Sequence, residues 1–173
     1  MTAGSVFSCS SCAELHDGPP LSYGTLAPVY WNADFADQQG SALGEEQCVI
    51  AGEHFFVRAR LVLPITDTGG EFDWGVWVSL SEANFHRMSA LWDDPERVGE
   101  PPYFGWLSTA LPLYEPTTVN LATKLHTQPL GDRPLVELQP TDHPLAVEQR
   151  AGITMARIQW FAEQLLHADP QVD

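Results

Sequence analysis

The chain has 173 residues, 44% of them hydrophobic, with six Trp, eight Phe and four Tyr. That length is typical of a single domain, and so many aromatic side chains exclude an intrinsically disordered chain. Eight Lys and Arg against 23 Asp and Glu give a net charge of −15, which disfavours binding to nucleic acids and to anionic membrane surfaces.

The first 24 residues have little periodicity, and we expect a small Cys/His knuckle there. The knuckle would belong to the same domain as a main body over residues 25–168, followed by a tail over 169–173. The start of the chain has neither a basic nor an apolar segment, so it does not resemble a secretory signal. No stretch approaches the roughly 18 consecutive apolar residues of a membrane-spanning helix. The sequence therefore predicts a cytoplasmic protein.

Two cysteines, Cys9 and Cys12, have the C-x-x-C spacing that lets two thiolates from one turn bind the same metal ion. His16 and Cys48 would complete a Cys3His set, which predicts a structural zinc. A second interpretation is a redox pair, although Asp17 follows too soon for the long helix that activates such a thiol. A third is reduced cysteines in a surface turn.

The centre of the chain alternates between apolar and polar residues, as β-strands do. This pattern predicts a strand over 54–63, a turn over 68–70 and an antiparallel partner strand over 72–80. A shorter strand over 48–50 precedes them. On the partner strand, Trp77 falls on the polar face.

Beyond this hairpin, Ser81 is suited to cap a helix that runs to about Trp92, because its hydroxyl can accept a free first-turn N–H. Residues 101–106 read as an aromatic loop, and its rings, like those over 72–77, are expected in the core. The remaining elements are strands over 119–126 and 134–139, a short helix from 142 to a break near Gly152, and a helix over 153–167. Strands, helix, strands and helices in this order favour an α+β fold. We expect a central antiparallel sheet packed by helices.

No phosphate-loop, dinucleotide-binding, zincin or serine-hydrolase signature is present. Around Pro144 the sequence is typical of a capped helix start, and capping explains Asp142 and His143 by itself. The functional alternative is that His143 acts as a general base, oriented by Asp142 or Glu148, with Gln149 facing the same cleft.

Basic residues are few, and three of them fall close together in the predicted sheet. Arg58 and Arg60 share a strand face, and Arg133 precedes another strand. Such a cluster is suited to bind an anion or a carboxylate bidentately. The alternative is a solvated face paired with the abundant Asp and Glu. Trp77, on a polar face, is the aromatic residue that we expect to line a surface groove.

Seven blocks occur in a characteristic order: Phe7-x-Cys9-x-x-Cys12 with His16, Cys48-Val49-Ile50, Phe55-Phe56-Val57-Arg58, Phe72-x-Trp74-Gly75-Val76-Trp77-Val78, Tyr103-Phe104-Gly105-Trp106-Leu107, Arg133-Pro134, and Asp142-His143-Pro144-Leu145-Ala146. This series resembles the uncharacterised bacterial family known as domain of unknown function 2199, from about residue 7 to about residue 158. The resemblance implies one domain over most of the chain. It brings no established activity and no catalytic residues.

The leading hypothesis is a cytoplasmic binding or interaction module, stabilised by a structural zinc, whose partner is an unknown protein or small molecule. The alternative is a small hydrolase-like enzyme that uses His143 with a carboxylate partner, or a metal with an open coordination position. A cleft joining His143, Gln149 and Arg58 would favour the enzyme, and an aromatic patch around Trp77 would favour the binding module. Neutralisation of a toxin also agrees with the acidity.

Overall fold

The computed structural model describes the backbone of residues 7–8 and 15–16, and residues 18–166 with their side chains. In the N-terminal part, β1 (Phe7–Ser8) and β2 (Leu15–His16) pair antiparallel, with Phe7 opposite His16. The rest of the predicted Cys/His knuckle lies outside the described residues.

Residues 18–166 contain one eight-stranded sheet and three α-helices. The strands are β3 (Ser22–Gly24), β4 (Ala42–Leu43), β5 (Gln47–Ile50), β6 (His54–Pro64), β7 (Glu71–Leu80), β8 (Tyr103–Leu107), β9 (Ala122–His126) and β10 (Leu135–Leu138). The helices are α1 (Glu82–Ala90), α2 (Pro144–Ala151) and α3 (Met155–Leu166). The predicted α+β class is confirmed. None of these helices is long and apolar enough to cross a membrane.

The two longest strands, β6 and β7, form the antiparallel hairpin that the alternating pattern predicts. Their register runs from Phe55 opposite Leu80 to Pro64 opposite Glu71. Buried and half-buried side chains alternate along β6 from Val57 to Leu63, because successive side chains of a strand point to opposite faces. The large apolar residues of this hairpin therefore line the core.

The strands from β6 to β10 close into a five-stranded barrel. Each pairs antiparallel with the next, and β10 then pairs with β6 in parallel, with Leu135 opposite Arg60. On the outside, β5 and β4 extend the sheet from β6, and β3 joins β7 in parallel. The predicted sheet is therefore mainly, but not wholly, antiparallel. Both parallel pairs join strands that are far apart in sequence, which local patterns do not reveal.

The main core fills the barrel and extends beneath α3. Phe72, Trp74 and Phe161 meet there with ring centroids 5.0 to 5.4 Å apart. All three are fully buried, and burying a side chain of this kind contributes about 1.5–3 kcal/mol relative to leaving it exposed. The Tyr114 hydroxyl accepts a hydrogen bond from the Trp74 indole N–H at 3.3 Å, so this aromatic cluster also satisfies its polar atoms.

The helix boundaries follow the predicted signals. The Ser81 hydroxyl accepts the Asn84 N–H at 3.2 Å and caps α1. The predicted break between α2 and α3 occurs at Gly152, where φ is +80°. A Cβ at this position would also lie 2.8 Å from the Pro64 carbonyl oxygen and 2.6 Å from the Thr66 methyl group, so only glycine lets α2 approach the end of β6 this closely.

A second, smaller core lies on the outer face of β5, β6 and β7. It consists of Cys48, Ile50, Phe56 and Trp77, with Trp31 and Phe35 packed over them. The expectation that Trp77 lines a surface groove is wrong, because its side chain is 0% exposed and its indole N–H donates to the Thr25 carbonyl at 3.1 Å. Residues 25–37 cover this face, so the apparently polar side of β7 is an interior.

The stretch predicted as an aromatic loop over 101–106 contains the strand β8. Tyr103 and Leu107 are buried, as expected of core residues. Phe104 and Trp106 are 52% and 46% exposed, and their rings pack edge to face with centroids 5.0 Å apart. The strand period explains the difference, because alternate residues of β8 face the barrel interior and the solvent.

Candidate functional site

A cleft of about 570 Å³ opens beside the pair of strands that closes the barrel. We call it the arginine cleft. Its lining residues are mostly charged: Glu46, Arg60, Trp92, Asp93, Arg97, Leu130, Gly131, Asp132 and Arg133. The barrel closure creates it, because β6 carries Arg60, whose backbone N–H donates to the Pro134 carbonyl at 2.9 Å, next to Arg133.

One N–H group of the Arg60 guanidinium is bound to an acidic residue, and its other N–H groups can donate to a ligand. Its Nε–H group donates to the carboxylate of Asp73, which lies diagonally across on β7, opposite Val62. The terminal nitrogens, Nη1 and Nη2, have no partner within residues 18–166. The Arg60 side chain is 42% exposed, so these donors can reach a ligand in the cleft.

Arg133 has the same arrangement. Its Nε and Nη2 groups donate to the Glu46 carboxylate over 2.8 to 3.1 Å, a bidentate ion pair that raises the pKa of Arg133. Nη1 has no partner in the described part of the chain, and the side chain is 38% exposed. The structure thus places Arg60 and Arg133 in one cleft, and each forms an ion pair with an acidic residue, as the alternative of a solvated, paired face predicts.

Arg97 is buried and fixes the loops that form the cleft. Its guanidinium donates to the carbonyl groups of Trp92, Gln128, Pro129 and Asp132 over 2.7 to 3.2 Å. Four neutral carbonyl groups accept four of its five N–H groups, and no carboxylate within residues 18–166 contacts its positive charge directly. The charge therefore adds to the potential that an anion meets in the cleft.

Arg58, the third predicted member of the basic cluster, does not line this cleft. Its Nη1 group lies 3.4 Å from the Glu45 carbonyl, and its Nη2 group lies over Gly24. Its buried Nε–H has no partner within residues 18–166. The alternation of β6 puts Arg58 and Arg60 on one face, as predicted, but their guanidinium groups serve different places.

Comparison with known proteins adds one match. A family profile described as "Uncharacterized protein conserved in bacteria (DUF2199)" matches residues 8–153. The chain belongs to this family. No curated protein and no solved structure matches the chain. The matched region of the family profile includes every residue that lines the arginine cleft and stops before α3.

His143 caps α2 and has neither ring nitrogen free. Its Nδ1 atom accepts the Leu145 N–H at 3.1 Å, which leaves the proton on Nε2, and Nε2 donates to the Pro116 carbonyl at 2.8 Å. The capping alternative from the sequence therefore describes its contacts, with His143 rather than Asp142 as the cap. A general base needs a ring nitrogen that can accept a proton from a substrate.

Glu148 and Gln149, which were expected beside His143, form hydrogen bonds with other groups. Glu148 accepts the Tyr114 hydroxyl at 2.6 Å and the Arg157 Nε–H at 2.8 Å. Gln149 accepts the Leu138 N–H and donates to the Val136 carbonyl, and so joins α2 to β10. The structure thus does not bring His143 together with Glu148, nor Gln149 with Arg58, in a common cleft.

The predicted zinc ligands are only partly described. Cys48 is 1% exposed in the smaller core, and burial raises the pKa of its thiol to about 11. Cys9 and Cys12 lie outside the described residues, and for His16 only the backbone is described. Within the described part, no group of three or more His, Cys, Asp or Glu side chains could bind a metal. The apolar side chains of Ile50, Phe56 and Trp77 pack with Cys48 in this core, which are the surroundings of a packed thiol. Zinc itself stays a prediction.

Another cavity, of about 530 Å³, lies where the turn between β5 and β6 meets Tyr30 and Asn120. Buried side chains of Ile50, Phe56 and Leu80 form its base. The Tyr30 hydroxyl donates to the Asn120 side-chain oxygen at 3.1 Å, and the other polar residues that line the cavity are Glu53, His54 and Ser79, with no arginine or lysine among them. The arginine cleft, with its unpartnered charged donors, is therefore the stronger candidate.

The sequence reasoning missed Trp92, Arg97 and the two acidic residues Asp93 and Asp132. Asp93 reads as part of a helix stop, and Arg97 follows it in a segment without apolar periodicity. Nothing local connects 92–97 with 128–133, since the buried guanidinium of Arg97 joins these segments only in the folded chain.

Proposed function

We propose that this protein is a binding module that takes up a small carboxylate-bearing molecule in the arginine cleft. One observation carries the proposal. Arg60 and Arg133 each have one edge of the guanidinium bound to an acidic residue, while terminal nitrogens remain unpartnered and exposed at the cleft. A planar carboxylate is the group that such paired N–H donors match best.

The acidic partners prepare the two arginines for binding. A free arginine side chain loses about 2 kcal/mol of rotamer entropy when a ligand fixes it, and part of this cost is already met in the ion pairs with Asp73 and Glu46. Each hydrogen bond to a charged group then contributes about 1.5–3 kcal/mol. The same acids reduce the positive potential, so geometry rather than net charge favours the carboxylate.

The charged residues that line the cleft limit the negative charge of the ligand that it can bind. Arg60, Arg97 and Arg133 are three of the eight basic residues of a chain with a net charge of −15. Glu46, Asp93 and Asp132 line the same cleft, and Asp73 binds Arg60 from β7, so the cleft has no net positive charge. The absence of a net positive charge disfavours a polyanion such as a nucleic acid.

The enzyme alternative has less support. A hydrolase that uses His143 would have to break either the cap of α2 or the bond to Pro116 to free a ring nitrogen. The binding module needs no such rearrangement.

The proposal is tested by titrating the full chain with propionate and benzoate and following the arginine Nε–Hε resonances by NMR. We expect saturable shifts for Arg60 and Arg133, and affinity reduced at least about tenfold in Arg60→Gln and in Arg133→Gln. Arg150→Gln is the matched control, because Arg150 is exposed and outside the cleft. Unchanged affinity in the two cleft variants would overturn the proposal, and so would a parent chain that binds neither these acids nor an amino acid.

A further inference from the structure

We infer that the ligand of the arginine cleft is a small zwitterion, whose carboxylate binds Arg60 and Arg133 and whose ammonium group binds Asp93 and Asp132. This inference rests on the proposed function and specifies its ligand. The four side chains line one cavity of about 570 Å³, in which the basic and the acidic pairs both have unused hydrogen-bonding atoms.

The carboxylates in the cleft are of two kinds. Both carboxylate oxygens of Glu46 accept hydrogen bonds from Arg133. The side chains of Asp93 and Asp132 are exposed, and neither carboxylate has a hydrogen bond or an ion pair within residues 18–166. The two aspartate carboxylates therefore have no hydrogen-bond donor within the described residues, and they line the same cleft as guanidinium N–H groups that have no acceptor there.

The backbone beneath the two aspartates is fixed. The buried guanidinium of Arg97 donates to the carbonyl of Asp132 itself and to that of Trp92, the residue before Asp93. The Asp132 N–H also donates to the Pro129 carbonyl at 3.1 Å. Both carboxylates thus start from positions that the fold sets, which lowers the entropy lost when a ligand binds between them.

Charge complementarity selects the second group of the ligand. A simple carboxylate at the arginines would bring a further negative charge close to two unpartnered carboxylates, and an ammonium group on the same molecule removes this repulsion. Trp92 also lines the cleft with a partly exposed indole, and the Arg97 guanidinium already lies over this ring, 5.9 Å from its centroid. A divalent metal at Asp93 and Asp132 is less suited, because three arginines line the same space.

The test uses ω-amino acids of increasing length, from glycine to 6-aminohexanoate, titrated into the full chain by calorimetry. Each is compared with the unsubstituted carboxylate and with the alkylamine of the same chain length. We expect one length to bind at least about tenfold more tightly than its matched carboxylate, since a charged pair across a binding site typically contributes this much. The preferred length would report the separation of the two charged ends.

Two sets of variants separate the inference from the proposed function. The double variant Asp93→Asn with Asp132→Asn should lose the preference for the amino acid while its affinity for the matched carboxylate stays the same or rises. Arg133→Gln should lose both. Asp142→Asn, an exposed aspartate outside the cleft, is the control, and thermal unfolding checks that each variant is folded.

Each result has one meaning. If carboxylates bind and amino acids bind no better, the zwitterion inference is wrong and the proposed function stands. If neither class binds the folded parent chain, both are wrong. If Mg²⁺ or Ca²⁺ alone binds and the double aspartate variant abolishes it, the acidic pair is a metal site and the inference is likewise overturned.

Discussion

Several polar side chains of this protein bind backbone groups rather than one another. Arg97 donates to four carbonyl groups, Gln149 bonds to two backbone groups of β10, and His143 bonds to two different segments. A buried backbone group without a partner costs about 1–3 kcal/mol, so these side chains stabilise loops and helix ends that lack regular pairing.

Replacing His143 should measure this kind of stabilisation. His143→Ala loses the cap of α2 and the bond to Pro116, and we expect the free energy of unfolding to fall by about 2–3 kcal/mol. His143→Asn keeps a side-chain oxygen that can accept the first-turn N–H, so about half of the loss should be recovered. Urea unfolding measures both. An alanine variant as stable as the parent would show that these two hydrogen bonds contribute nothing.

The Cys48 thiol should be unreactive in the folded chain. Burial raises its pKa to about 11, above the usual 9.0, so the thiolate is scarce near pH 8 and the side chain is covered. Because the folded pKa is the higher one, this group contributes stability below about pH 9 that is lost as the pH rises to about 11. Titration with a thiol reagent, with and without denaturant, checks the expected slow reaction. Fast modification of the native chain would contradict it.

For the predicted zinc, we propose that Cys9 and Cys12 matter and that Cys48 does not. Elemental mass spectrometry of the tag-free protein should find zinc that is lost in Cys9→Ser and in Cys12→Ser and retained in Cys48→Ala. The reason is the apolar surroundings of Cys48, in which a thiolate is costly. Loss of zinc in the Cys48 variant would restore the Cys3His set, and a metal-free parent chain would remove zinc altogether.

At the scale of elements, contacts between strands and turns determine what each position tolerates. In β8, Gly105 lies against β7, and a Cβ there would stand 2.5 Å from both the Ser79 carbonyl oxygen and the Val78 Cγ1 atom. Glycine is thus required by close packing of two barrel strands.

Substitution of Gly105 should therefore be severe. Gly105→Ala forces β7 and β8 apart, and we expect it to lower the free energy of unfolding by more than about 2 kcal/mol. Gly99→Ala is the matched control, because a Cβ at Gly99 meets no atom within 4 Å, and its effect should stay within about 0.5 kcal/mol. Thermal and chemical unfolding measure both. Equal stability of the two variants would contradict the close packing.

Glu100 links α1 to β8 and should make the fold sensitive to acid. Arg87 binds its carboxylate bidentately, and the Tyr103 hydroxyl donates to it at 2.5 Å, which lowers the pKa of Glu100 from 4.5 to about 2. Since the folded pKa is the lower one, this contribution is complete above about pH 4.5 and is lost as the pH falls towards 2.

The corresponding measurement is the free energy of unfolding between pH 2 and pH 6 for Glu100→Gln. Its slope in this range should be shallower than that of the parent. Glu53→Gln, at an exposed turn, should keep the parental slope. A Glu100 variant with the full acid sensitivity of the parent would assign that sensitivity to other carboxyl groups.

At the scale of the whole molecule, what could be predicted from the sequence was local. The hairpin of β6 and β7, the Ser81 cap and the Gly152 break depend on neighbours in the chain, and all are confirmed. Burial of Trp77 depends on residues 25–37, which cover it from outside the sheet. No pattern within β7 contains that information.

The candidate site also combines features that local sequence predicts with contacts between distant residues that it does not predict. The sequence could place Arg60 within a strand and Arg133 just before one, but the parallel pair that brings them together has no local signal. The rest of the lining had no sequence signal either, because Arg97 joins 92–97 to 128–133 through contacts between residues far apart in the chain. The contacts of His143 could not be predicted for the same reason, because its hydrogen-bond partner Pro116 lies in a loop without apolar periodicity.

The parallel pair that closes the barrel connects residue 60 with residue 135, whereas the antiparallel pairs of the barrel join consecutive strands. Contacts between distant residues form late, because the chain must lose the entropy of a long loop before such a contact stabilises it. Arg60 and Arg133 meet only at this closure. Any ligand of the arginine cleft therefore binds only chains in which the barrel is closed, and it stabilises these chains against unfolding in proportion to its concentration and affinity.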